Sequence, residues 1–168
     1  MRVYLVRHAE AVDSPPGARF LDDLRPLSPR GRRRFIRTAR AFAKLGETLD
    51  VVRASPTLRT VQTAELLVHH LHASPSAVLD ELHGDVPAAV VRRWLLDQDA
   101  RSIALVGHGR QLRDLARLLI GHELRLPMKK GAILRIDVRG DAAARTRWLL
   151  REDEQAVAAW PRTRTAAA

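Results

Sequence analysis

Apolar residues fall along this chain in two kinds of run that take turns. Residues 2–6, RVYLV, are short, apolar and rich in β-branched side chains, the pattern of a strand covered on both faces. DVVRAS at 50–55, Val78-Leu79, SIALVG at 102–107 and AILRIDV at 132–138 read as further strands. Gly140-Asp141 then predicts a turn into RTRWLL, a closing hairpin. Between the strands the period lengthens. In LSPRGRRRFIRTARAFAKLG, Ser28 is placed as an N-cap, Pro29 at the first helical position and Gly46 as the stop. Phe35, Ala39, Phe42 and Leu45 share one face of that helix, while Arg32, Arg33, Arg37 and Arg40 lie mostly elsewhere. Ser55-Pro56 repeats the cap-and-proline signature and predicts a helix to about His72, and further helices are expected over 86–97 and 111–120. Asp13 to Pro26 reads as a polar loop, and 153–168 as a loose tail.

Strands alternating with helices predict an α/β fold, a three-layer sandwich with a mostly parallel central sheet, an antiparallel edge and helices on both faces. The length of 168 residues suits one domain, expected over 1–152.

Composition narrows the function classes. No cysteine is present, which excludes disulfides, thiolate metal sites and a cysteine nucleophile. No apolar run is long enough to span a bilayer, and the N-terminal apolar stretch is too short for a signal peptide, so a cytoplasmic location and no membrane partner are expected. The net charge of +10 attracts anions. Its arginines are scattered among acidic residues and aromatics make up only 4%, so a solvated basic surface favouring a phosphorylated substrate is a better reading than nucleic-acid binding. No histidine pair fits a metal motif, and His69, His70, His72 and His122 read as surface or helix-end residues.

Ligands of open parallel sheets sit beyond the carboxyl ends of the strands. The first strand ends there in Arg7-His8, the second leads to Arg59, and SIALVG ends in Gly107-His108-Gly109. Taken singly, an Arg-His pair or a GHG is as well explained by capping or ion pairing. Together they suit phosphoryl transfer. A neutral imidazole attacks phosphorus, guanidinium forks match phosphate oxygens, and helix starts near residues 56 and 109–111 add backbone N–H donors. Guanidinium charge beside His8 is expected to keep its ring neutral.

These residues also carry a resemblance. LVRHAEA at 5–11 resembles the RHG signature of the histidine phosphatase (phosphoglycerate mutase-like) superfamily, with Ala9 in place of the usual glycine. ASPTLRTVQTAE at 54–65 is similar to its second arginine motif, with Ser55, Pro56, Arg59, Gln62, Thr63 and Glu65 in register, and LVGHG at 105–109 to its second-histidine motif. DDLRPLSPRG at 22–31, VLDELHGDV at 78–86 and LPMKKGAILRIDV at 126–138 resemble segments of the small SixA-like phosphohistidine phosphatases, which lack a large lid insertion. The resemblance implies His8 as the nucleophile of a transient phosphohistidine, with Arg7, Arg59 and His108 holding the phosphoryl oxygens and the Gly109 backbone assisting. It implies no metal and no organic cofactor. Glu81 is the first candidate for the general acid, against a plain solvated carboxylate. Asp85 is a weaker one, better read as an N-cap, and Lys129 and Lys130 are rim candidates best explained as solvated. The expected reaction is removal of phosphate from a phosphohistidine-bearing partner protein. Hydrolysis of small phosphomonoesters and noncatalytic polyanion binding stand as alternatives.

Overall fold

The computed structural model describes residues 1–14, 19–123, 127–139, 142–151 and 158–159. Its strands are β1 (Arg2–Arg7), β2 (Val51–Ala54), β3 (Ala77–Val78), β4 (Ser102–Gly107), β5 (Ile133–Arg139), β6 (Ala142–Leu150) and β7 (Ala158–Ala159). Its α-helices are α1 (Pro29–Ala43), α2 (Leu58–Leu71), α3 (Ala88–Leu96) and α4 (Gly109–Ile120). The sheet order is β3-β2-β4-β1-β5-β6-β7. β3, β2, β4 and β1 run parallel, and β5 to β7 complete the sheet antiparallel.

Alternation along the central strands assigns the two faces. Val3 and Leu5 of β1 and Ile103 and Leu105 of β4 join Val91, Leu95, Leu112 and Leu115 in one core. Tyr4, Val6, Ala104 and Val106 point the other way and pack with Phe35, Phe42, Leu67 and Trp148. A strand covered on both sides must be apolar at every position, which is why β1 and β4 read as continuous apolar runs. Helices α3 and α4 cover one face and α1 and α2 the other, as the pattern predicted.

Several boundaries differ from the expectation. The Ser28 hydroxyl caps α1 through the Gly31 N–H at 2.9 Å, but the helix ends at Ala43, leaving Leu45 beyond the buried stripe and exposed. Helix α2 starts at Leu58 with Thr57, not Ser55, at the cap position. Asp85 is not a cap either, because extended Pro87 separates it from α3. The loop at 13–26 contains a 3-10 turn over Arg19–Leu24. The turn expected at Gly140-Asp141 lies outside the described residues, as does the tail expected after 152 apart from Ala158–Ala159, which pair with β6. Among the described residues no helix is long and apolar enough to cross a membrane.

Candidate active site

Parallel pairing of β1 with β4 sets Arg7 opposite Gly107, so His8 and His108 leave neighbouring strands side by side. Their ring centroids are 5.4 Å apart in an edge-on arrangement. The His8 backbone is fixed on both sides: its N–H donates to the Gly107 carbonyl, and its carbonyl accepts from the Gly131 N–H. Gly131 has φ +75°, a left-handed turn that suits glycine, and its N–H also reaches the Arg7 carbonyl. The next residue, Ala9, donates its N–H to Thr63 Oγ1 at 3.1 Å, and that hydroxyl donates onward to the Arg59 carbonyl at 2.6 Å. Thr63, read from sequence only as part of a motif, thus ties the strand end carrying His8 to the helix carrying Arg59.

The His8 ring sits 2.8 Å through Nδ1 from the Ala9 carbonyl, which only accepts, so Nδ1 carries the hydrogen and Nε2 the lone pair. Burial pulls the His8 pKa down to about 3, opposed by the Ala9 hydrogen bond and reinforced by His108, Arg59 and Arg7. Guanidinium charge acts in the expected direction, but burial is the larger cause. His108 is drawn down to about 4, again first by burial and then by Arg59. Its Nε2 lies 3.0 Å from Ser55 Oγ, so Ser55 steadies the second histidine rather than capping a helix.

The arginines are held by different means. Arg7 Nη1 donates to the Met128 carbonyl at 2.7 Å, and its guanidinium lies against Gly109 so closely that a Cβ there would be 2.8 Å from Nε. Gly109 is therefore both the first residue of α4 and a space left for Arg7. Arg59, 5% exposed, donates through Nη1 to the Asp22 carbonyl and through Nη2 to its carboxylate at 3.0 Å. The Nε–H groups of Arg7 and Arg59 are buried without a hydrogen-bond partner among the described residues.

A cavity of about 370 Å³ opens here, lined by Asp22, Asp23, Thr57, Arg59, His83, Gly84, Asp85 and His108. Arg7 and His8 are not among the lining residues, and neither is Glu81. Glu81 sits half-buried on a 3-10 turn (Asp80–Leu82), and its carbonyl accepts from Gln111 Nε2 at 2.8 Å. The same amide nitrogen meets the carbonyls of His83 and Val86 at 2.9 and 2.8 Å, anchoring the segment 81–86 to α4. Lys129 and Lys130 are exposed. The residues that sequence reading missed, Asp22, Asp23 and His83, all come from segments with no periodicity. The only signal was that DDLRPLSPRG and VLDELHGDV stood out as motifs.

The sequence profile of the histidine phosphatase superfamily (branch 1) matches residues 3–85, which carry Arg7, His8 and Arg59. An uncharacterized protein of Picosynechococcus sp. is 34% identical over 151 residues, spanning 85% of this chain and 87% of its own. The fold superposes on the protein histidine phosphatase SixA, solved with tungstate, at a TM-score of 0.81 and 22% identity, covering 90% of this chain and 97% of that one. A provisionally assigned phosphohistidine phosphatase SixA from Agrobacterium tumefaciens superposes at 0.78 with 23% identity, covering 89% and 97%. Motifs, topology and profile agree: the chain belongs to the histidine phosphatase superfamily, branch 1, and has the SixA-like form of its fold.

Proposed function

We propose that this histidine phosphatase removes phosphate from phosphohistidine on a partner protein, through a phosphorylated His8 and without a metal. The observation that carries the reading is the state of His8: neutral, backbone-pinned, with Nδ1–H committed to the Ala9 carbonyl and Nε2 left as the nucleophile. In the first step Nε2 attacks phosphorus while the substrate N–P bond breaks and its electron pair stays on the departing imidazole. In the second, water attacks the phosphoryl group, the pair returns to Nε2 and inorganic phosphate leaves. Charge developing on the equatorial oxygens is met by Arg7, Arg59 and His108, with the α4 N-terminus beyond Gly109. The buried Nε–H groups of both arginines are donors that a bound oxyanion would satisfy.

Two observations favour a protein-borne phosphate. The similar SixA structure is described as a protein histidine phosphatase. Between α2 and β4 the chain places α3, whose Val91 and Leu95 are spent in the core rather than over the cavity. Among the described residues α3 is therefore not spent on a lid, and a site without one accepts a side chain presented by another protein, whereas small phosphates gain from enclosure.

The test offers the enzyme a phosphohistidine-bearing protein, a phosphoserine peptide and sugar phosphates, all in EDTA. The highest kcat/KM is expected on the first, with an acid-labile, base-stable phosphoenzyme that His8→Ala abolishes. Preference for sugar phosphates would overturn the substrate, a phosphoenzyme in His8→Ala the nucleophile, and loss of turnover in EDTA the metal-free route.

A further inference from the structure

Resting on the phosphatase reading above, we infer that His83, flanked by Asp23 and Asp85 in the lining of the cavity, is the proton donor to the leaving group. It extends the enzyme's range to phosphate esters. His83 lines the same cavity as Arg59 and His108. Its backbone neighbour Gly84 lies over the second histidine: a Cβ at 84 would be 3.5 Å from His108 Cδ2. The donor is thus carried on a segment packed against His108.

The ring has a carboxylate at each nitrogen. Nε2 lies 3.4 Å from Asp23 Oδ2, and Nδ1 lies 3.7 Å from Asp85 Oδ2. Because these partners flank opposite nitrogens, they cannot converge with the ring on one ion; among the described residues no three such side chains gather as a metal site. What two flanking carboxylates do is orient the ring within the cavity lining. Whichever nitrogen turns to the leaving atom, the other stays paired, as a positioned acid requires. The titratable and charged groups that share this cavity with the ring are Asp22 and Asp23 from the 3-10 turn, Asp85 from its own loop, Arg59 from α2 and His108 at the start of α4. Gln111 holds the His83 carbonyl, so the donor's backbone is fixed to the same helix that positions His108. Glu81, two residues earlier, is outside the lining of this cavity.

The proton accounting explains why such an acid matters. A phosphohistidine protonated on its distal ring nitrogen departs as neutral imidazole and needs no acid from the enzyme. An alkyl phosphate departs as an alkoxide unless protonated. As the P–O bond breaks, its electron pair goes to the ester oxygen, which takes the proton from the His83 imidazolium while His8 Nε2 bonds to phosphorus. Neutral His83 then takes a proton from the water that attacks the phosphoenzyme, and the cycle closes.

The experiment compares wild type, His83→Gln and Glu81→Gln on phosphoserine, an alkyl ester, and p-nitrophenyl phosphate, whose leaving group needs no proton. His83→Gln should lower kcat/KM on phosphoserine by about 10²-fold or more, the scale of general acid catalysis. The loss on p-nitrophenyl phosphate should stay under about fivefold. Equal losses on both substrates, or a leaving-group-dependent loss in Glu81→Gln instead, would overturn the role of His83 while leaving the phosphatase reading intact. Wild type that turns over neither ester nor a phosphohistidine protein would overturn both.

Discussion

Asp22 holds Arg59 from two sides, its carbonyl on Nη1 and its carboxylate on Nη2 at 3.0 Å. Burial alone would push the Asp22 carboxyl up, but Arg59 and Arg25 outweigh it and hold its pKa below the ordinary value. A carboxylate therefore occupies the guanidinium that the proposed phosphate contact would use. Asp22→Asn keeps an acceptor and removes the charge. Inorganic phosphate should then inhibit about fivefold more tightly, the equivalent of roughly 1 kcal/mol for a partly exposed ion pair. Isothermal titration with phosphate measures this, and unchanged or weaker binding would contradict the competition.

Arg59→Lys keeps the charge but not the planar fork. Transition-state stabilisation should fall by about 2–4 kcal/mol, the scale of one lost oxyanion donor. A drop in kcat/KM of less than twofold on the best substrate would argue that Arg59 does not touch the phosphoryl group.

Gly109→Ala and Gly31→Ala should fail in different ways. At residue 109 a new Cβ meets the mobile end of Arg7, 2.8 Å away, so the side chain swings off and the fold survives. Activity should drop about 10²-fold with little change in melting temperature, as expected for a displaced catalytic group. At residue 31 the Cβ would lie 2.1 Å from the Glu10 carbonyl oxygen, a backbone atom that already accepts from the Ser28 N–H. There the loss should appear as about 1–3 kcal/mol of stability in denaturant titrations.

Acid should weaken the fold through the site itself. His8 takes up a proton near 6.5 when unfolded but only near 3 when folded. Between those values the unfolded chain binds more protons, so stability is present above about pH 6.5 and declines as pH falls toward 3. His8 contributes up to about 1.4 kcal/mol per pH unit in that window, and His108 acts in the same direction. His8→Ala should flatten the fall in urea midpoint between pH 6 and 4. A slope matching wild type would show that His8 is not buried neutral.

Thr63→Val preserves shape but strands the Ala9 N–H, which now donates to the hydroxyl. A loss of about 1–3 kcal/mol is expected in thermal unfolding, from one buried donor left without a partner. Thr63→Ser should recover most of it.

How far the sequence could be read depends on how each residue reaches the site. Arg7, His8 and His108 lie at the ends of apolar strand runs, so their convergence could be reasoned from the sheet rule. Arg59 lies in the first turn of a helix whose presence was legible though its start was placed two residues too early. Ser55 was misread because its hydroxyl serves a histidine fifty-three positions away. No local pattern distinguishes that role from a cap. Asp22, Asp23 and His83 arrive on or beside 3-10 turns, which are too short to show a period. The neutrality of His8 was foreseen, but its main cause, burial, exists only once the layers close over the sheet.

The shared rung of Arg7 and Gly107 makes the gap between His8 and His108 a dimension of the sheet. Neighbouring strands lie about 4.8 Å apart by backbone hydrogen bonding alone, and the two rings inherit that ruler with centroids at 5.4 Å. The loops bearing Asp22 and His83 stand outside it. Substitutions in those loops can therefore change what the site admits without resetting the distance between the two histidines.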